Sequence, residues 1–560
     1  MHDRTGDRDR FAGAPRRGHR LAAVAIAAAV LAAAGCGSSS NSASGSASTS
    51  TTTPTPEGVV LRNMGDEGDP IEGGKFVIGL EAETESGLNP IGGQFAASGH
   101  MMASAIFDPL ATLDADGDVV PYLAESIEPN ADFTEWTITL RDGVQFHDGT
   151  PLTADAVKAT LDGHAASVVT SGAVKAIEAT EVVDPLTAKV TMNQPWAQFP
   201  YTLTTQVGYI PAPSMLVDPE GAFHPVGTGP FVFESWDLGT SFSATKNEHY
   251  WQAGKPHLSS IEFQPIPDAQ VRTEAVLNGE IDLLPILLSR TNEYLRDRDV
   301  KMLEVSNGEE NAITLNTAKA PFDNPIARQA VAAATDVGTF LTETGRDLVP
   351  PATGVFAPGQ LGHRDDIAQQ TFDLDKAKEL TAKYQAETGQ PLSFVYDGAD
   401  TVDDRAAQQV LKEMWEAAGM TVELNSIPQS DQIINTVLGA YQATDWRNFG
   451  SPDPDGDYVW WHSTSVGGPG EISLNVPRLV DPEIDVALDA ARATTDDDRR
   501  DDLYATVAQR LNDDGGYVWL ERPTWALVSG PKVNGFAIAA NGSISTIGGK
   551  TWIADLWIEP

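Results

Sequence analysis

A chain of 560 residues with a single cysteine has to hold itself together by packing alone. No disulfide can close within it, and no zinc or iron–sulfur centre built on cysteines is available to it. With 41% hydrophobic residues, 12 Trp and 11 Tyr, it has the material for hydrophobic cores, and its length predicts two or three folded units. Charge narrows the partners. The 37 Lys+Arg stand against 79 Asp+Glu, a formal net charge of −42. Such a surface repels phosphate backbones and anionic headgroups, so nucleic acid is not an expected partner.

The position of the cysteine says more than its number. Arg4, Arg8, Arg10, Arg16, Arg17 and Arg20 make the N-terminus basic, and an apolar run from Leu21 to Gly35 ends at Cys36. That run is shorter than the roughly 20 residues a membrane-spanning helix needs. Basic, apolar and small-residue regions in this order predict a secretory signal over 1–35. Ala33-Ala34-Gly35-Cys36 resembles the bacterial lipobox, whose cysteine is acylated and becomes the new N-terminus. Ala33 departs from it, since leucine usually stands three before the cysteine. The alternative is an ordinary signal peptide cut near Ala34, leaving a free thiol. Arg16-Arg17 keeps a twin-arginine route open beside the general one. Between Gly37 and Pro56, 13 of 20 residues are Ser or Thr, so 36–70 is expected to be a flexible tether. Lipid, tether and acidic globule predict an exported protein anchored at Cys36 to the outer face of the cytoplasmic membrane.

From Gly73 onward short strands alternate with helices. Lys75–Leu80 reads as a strand. Trp136, Ile138 and Leu140 alternate with threonines, and Asp142-Gly143 followed by Val144 and Phe146 predicts a hairpin. Thr153 is expected to cap a helix with Val157, Thr160 and Leu161 on one face and Gly163 as its stop. A second helix begins near Asp404, with Ala407, Val410, Leu411, Met414 and Trp415 as its apolar stripe and Gly419 at its end. Thr421–Leu424 follows as a strand. The pattern predicts α/β layers with helices covering mixed sheets.

Motifs of catalysis are missing. There is no G-x-S-x-G, no H-E-x-x-H, no P-loop and no G-x-G-x-x-G after a strand; Gly548-Gly549-Lys550-Thr551 has Ile544 where the first P-loop glycine belongs. The histidines lack metal spacing. Asp114, Asp116 and Asp118 fit a polar turn better than a calcium loop, and Asp453-Pro454-Asp455-Gly456-Asp457 reads as a solvated, proline-fixed turn rather than a metal site. The expectation is a binding protein without cofactor or metal, not an enzyme.

The stretch Ile106–Asp162 carries Pro121-x-Leu123-Ala124-Glu125, then Leu140-Arg141-x-Gly143-Val144-x-Phe146-His147-Asp148-Gly149, then Thr153-Ala154-x-Ala156-Val157. Further blocks follow in order: Val226–Phe231, Gly279–Asp282, Pro321–Asp323 with Arg328–Ala330, and Phe372–Ala377. This resembles the family 5 extracellular solute-binding proteins, the peptide- and nickel-binding receptors of ABC importers, from about Gly73 to Pro560. The resemblance implies a two-lobed periplasmic-binding-protein-like fold of type II with an extra subdomain, closing on ligand by a hinge. One lobe would hold 71–100, 222–305 and 516–560, the subdomain 101–221, and the other lobe 306–515. It also implies a monomer that takes oligopeptides or dipeptides in the cleft and passes them to permease subunits with their ATPase. Within the same fold a metal chelate, haem, opine or sugar is the alternative cargo. A surface sensor or chaperone that binds peptides without feeding a transporter is the other.

Two segments are implied as ligand contacts. The first begins four residues after the proline of the family's Leu-Asp-Pro turn; Leu88-Asn89-Pro90 stands there, which carries Gln94, Phe95 and Ala96 over, with a plain core role for Phe95 as the other reading. The second is Thr444–Asp455. Peptide receptors of the family present an aspartate for the ligand's ammonium three residues before the Asp-Pro, and here that position is Gly450, without a side chain. Alternation puts Asp445 and Arg447 on one strand face and Trp446 and Asn448 on the other. Asp445 and Arg447 then form either a surface ion pair or, for Arg447, a clamp on a ligand carboxylate, with Trp446 or the Trp460-Trp461 pair as an apolar wall.

Overall fold

The computed structural model describes residues 59–560 apart from 66–67, 85–86, 94, 115–116, 219, 290–291, 307–308, 450–452, 469 and 536–550. Cys36, the signal segment and Gln94 therefore lie outside the described residues. Among these, three larger sheets organise the chain. The first has eight strands in the order 59–62, 301–305, 525–529, 283–287, 75–80, 260–265, 241–246 and 231–237. The second has five, in the order 421–427, 393–399, 443–449, 309–315 and 517–521, and the third has four, in the order 124–129, 135–140, 187–192 and 177–184.

Local pattern accounts for most of these elements. Trp136, Ile138 and Leu140 are buried while the threonines between them are half-buried, the signature of a strand with one face on a core. The helix Val402–Ala417 buries Ala407, Leu411 and Trp415, and Thr401 accepts from the Asp404 N–H at its start. One core runs through both the eight-stranded and four-stranded sheets, from Phe76 and Phe263 to Trp136 and Phe199, so these two form one packed body. The five-stranded sheet is covered on one face by the helices Pro325–Ala334, Leu374–Thr388 and Val402–Ala417 and on the other by Pro482–Arg492 and Asp497–Asp514.

Four expectations change. The strand Glu135–Leu140 makes no hairpin with 144–146; it pairs with Ala124–Pro129 and Thr187–Met192. Gly163 does not stop the helix Ala154–Ala166; a Cβ there would meet Ile91 at 2.8 Å, so it is a packing glycine. Val59–Arg62, expected in the tether, pairs with Met302–Val305 at the sheet edge, with Arg62 bonded to the buried Glu304. Tyr517–Glu521, expected in the first lobe, pairs with Asn311–Thr314 in the second sheet.

Candidate functional site

The chain passes between the two large sheets from Val305 to Glu309 and returns from Glu521 to Trp525. These passages are neighbours at both ends: Val305 pairs with Trp525 in one sheet and Asn311 with Glu521 in the other. Two short adjacent connections thus join the packed bodies, the arrangement on which a hinge between lobes is built.

Charged side chains crowd those ends. Glu309 pairs with Arg447 at 3.5 Å, whose guanidinium lies over the Trp525 ring of the other sheet at 5.6 Å. Glu521 accepts from Asn311 at 2.8 Å and from Arg346 at 3.1 Å. Glu310 accepts from Asn448 at 3.4 Å and stands 3.9 Å from Arg522, whose other nitrogen donates to the Gly354 carbonyl at 2.7 Å. Burial pushes the Glu310 carboxyl up to about 7 against the pull of Arg522 and Asn448, and burial also raises Glu309. Buried charged groups whose charge is poorly solvated mark candidate binding sites.

The register settles how the expected residues are arranged. Glu310 lies opposite Asn448, Asn311 opposite Arg447, Ala312 opposite Trp446 and Ile313 opposite Asp445. Asp445 and Arg447 thus share one face, as alternation requires, but Asp445 accepts from Gln432 at 3.0 Å while Arg447 turns to Glu309. Burial raises Asp445 to about 6. Trp460 and Trp461 sit in the second lobe's core, with Trp461 edge-on to Phe356 at 5.6 Å. Phe95 is 6% exposed in the first lobe's core, where its N–H donates to Gln206. Ala96 is exposed and precedes the helix Ala97–Ile106.

A second interlobe contact had no signal in the sequence. The Asp453–Asp457 segment is not a solvated turn: Asp453, Asp455 and Asp457 are buried. Asp453 is held by Arg500 at 2.6 Å, and Asp455 by Arg492 at 2.7 Å and by the indole N–H of Trp196 at 2.7 Å. Arg492 lies over the Trp196 ring at 4.6 Å, and its carbonyl accepts from Ala197 at 2.7 Å. Trp196 belongs to the first lobe's core and Arg492 to the second lobe. This clasp borders a cavity of about 290 Å3 lined by Lys175, Asn193, Tyr201, Tyr458 and His462 among others. Among the described residues no group of three or more His, Cys, Asp or Glu side chains is placed to hold a metal ion, and no helix is long and apolar enough to cross a membrane.

Known proteins share this architecture. A periplasmic binding protein of A. tumefaciens R10 in complex with agropinic acid superposes with a TM-score of 0.77 at 24% identity, covering 87% of this chain and 99% of that one. The Helicobacter pylori binding protein DppA in complex with the peptide STSA gives 0.76 at 21%, covering 88% and 99%. In sequence, the glutathione-binding protein GsiB of Pectobacterium atrosepticum is 26% identical over 484 residues, 84% of this chain and 93% of that protein. GsiB of Salmonella typhimurium is 31% identical over 317 residues, 56% of this chain and 61% of that protein. The model described as bacterial extracellular solute-binding proteins, family 5 middle, matches residues 118–469. The fold is therefore that of the two-lobed periplasmic binding proteins with an extra subdomain, and the chain belongs to the bacterial extracellular solute-binding proteins, family 5, a family of binding proteins rather than enzymes.

Proposed function

We propose that this protein is the receptor of an ABC importer, capturing short peptides between its lobes and delivering them to permease subunits with their ATPase. The observation that carries this reading is the hinge-side cluster, where Glu309, Glu310, Arg447 and Arg522 offer both signs of charge to a ligand with both. Relatives named for glutathione and neighbours bound to a peptide or an opine support a ligand of that kind. Backbone hydrogen bonding along Ala443–Phe449 is the expected mode for the peptide chain, tolerant of side chains. Gln94, Phe95 and Ala96 would contribute from the first lobe. The lobes are taken to divide near 71–100 with 222–305 and the C-terminal segment, 101–221, and 306 to about 521. An opine-like amino-acid conjugate is the second reading, favoured by Gly450, which offers no side chain where an ammonium partner is expected.

The test uses protein stripped of co-purified ligand and titrated with di- and tripeptides. Tryptophan fluorescence should change and saturate, and chromatography should recover each peptide intact. A silent protein across the whole set removes peptide as the cargo; native mass spectrometry of the unstripped protein then identifies what it carries.

A further inference from the structure

Glu310 is the second residue of the strand Glu309–Leu315, next to the edge of the five-stranded sheet, and its register partner is Asn448. Arg522 begins the return passage. All three are buried, at 4%, 2% and 4% exposure. None is well served. Glu310 and Arg522 are 3.9 Å apart, beyond a hydrogen bond, and the Asn448 bond to Glu310 is long at 3.4 Å. The Asn448 Oδ1 is buried with no hydrogen bond of normal geometry, its nearby donor being the Tyr517 hydroxyl. A buried ion pair with such geometry does not repay its desolvation, and a buried acceptor without a well-formed hydrogen bond adds a further cost. The missing partners are specific: N–H donors for Glu310 and for the Asn448 Oδ1, and a planar acceptor for the guanidinium fork of Arg522.

We propose that Glu310, Asn448 and Arg522 form the seat of an α-amino-acid head group, with the ligand's ammonium on Glu310 and the Asn448 Oδ1 and its α-carboxylate on Arg522. One carbon carries both groups, which suits an acid and a guanidinium standing side by side. The zwitterion is neutral, and so is the Glu310–Arg522 pair it joins, so binding buries no net charge. An ordinary peptide has its ammonium and carboxylate at opposite ends and fits this seat poorly. A peptide linked through its first residue's side chain, of the γ-glutamyl kind, keeps both on one carbon and fits. The raised carboxyl of Glu310 agrees, since burial outweighs the pull that Arg522 and Asn448 exert on it. The inference rests on the peptide-receptor reading and sharpens it from peptides in general to side-chain-linked ones.

Two isomers test it, γ-glutamylglycine and α-glutamylglycine, identical in composition and different only in the head group. Calorimetry on the stripped full chain should give the γ isomer an affinity at least about 30-fold higher, and N-acetylation of the γ isomer should abolish most of it. Glu310→Gln and Arg522→Gln should each erase the preference, while Glu310→Asp retains part of it. Each variant is first checked for a cooperative thermal melt, and if the glutamine variants do not fold, Glu310→Asp and Arg522→Lys carry the test through a reduced preference. Equal affinity for the two isomers, or indifference to acetylation, overturns the seat and leaves the peptide receptor standing. So does binding of α-linked peptides alone. No binding of any peptide, α- or γ-linked, brings down both.

Discussion

Glu310 is the residue whose chemistry most depends on its surroundings. Arg522 and Asn448 face it, Glu309 adjoins it in the strand, and Tyr517 lies near enough to feel its charge. Its folded-state value of about 7 lies above the ordinary 4.5, so the native state holds the proton more tightly than the unfolded chain. The stability it contributes is present at low pH and lost as pH rises from about 4.5 to about 7. Glu310→Gln cannot lose that proton. Urea midpoints at pH 5 and pH 8 should show the variant gaining on the parent by on the order of 2 kcal/mol over that interval. A constant difference at both values would mean that Glu310 is already ionised without penalty. Residue-level legibility was uneven. Alternation along Thr444–Phe449 gave the faces of Asp445, Trp446, Arg447 and Asn448, because strand geometry is local. Asp453 and Asp455 read as solvated because their partners, Arg500 and Arg492, lie 47 and 37 positions away, on helices whose placement no local pattern encodes.

At the scale of elements, the end of the helix Pro482–Arg492 and the Trp196 segment form a contact between the two lobes. The indole N–H of Trp196 donates to an Asp455 carboxylate that Arg492 also holds. Trp196→Phe keeps an aromatic ring under Arg492 while removing that donor and part of the ring volume. A hydrogen bond to a charged group contributes roughly 1.5–3 kcal/mol, and part of it here should appear as lost closure. The expected outcome is about tenfold weaker ligand binding, with a larger radius of gyration by solution scattering and a thermal midpoint within a few degrees of the parent. Unchanged affinity and unchanged scattering would show that the contact is fixed in both open and closed forms. Elements with strong periodicity were legible, such as Lys75–Leu80 and the capped helix Val402–Ala417. The hairpin at 136–146 was not, because turn residues specify a bend and leave the choice of strand partner to the rest of the sheet. The family blocks left the acids beside the interlobe connection unmarked, since Glu309 and Glu310 belong to none of them.

For the whole molecule, the proposed anchor at Cys36 sets where capture happens. Acyl chains contribute about 0.8 kcal/mol per buried methylene, so two long chains hold a protein of this size on a bilayer. Cys36→Ala should shift the protein from the membrane fraction to the soluble export fraction, or leave it unprocessed; normal processing with undiminished membrane recovery would assign the attachment to something else. The adjacency of the two hinge passages has its own consequence. Val305 and Trp525 face each other across an antiparallel pair, and so, on the far side, do Asn311 and Glu521. The second lobe is thus one uninterrupted stretch of chain grafted into what would otherwise be the turn of a hairpin. Replacing 306–524 by a tight turn would close the first lobe on itself, and the excised stretch would begin and end on neighbouring strands. The receptor is, in genetic terms, a cassette in a host, and exchange of the cassette between relatives is a route by which its specificity can be rewritten without disturbing the lobe that carries the N-terminal strand.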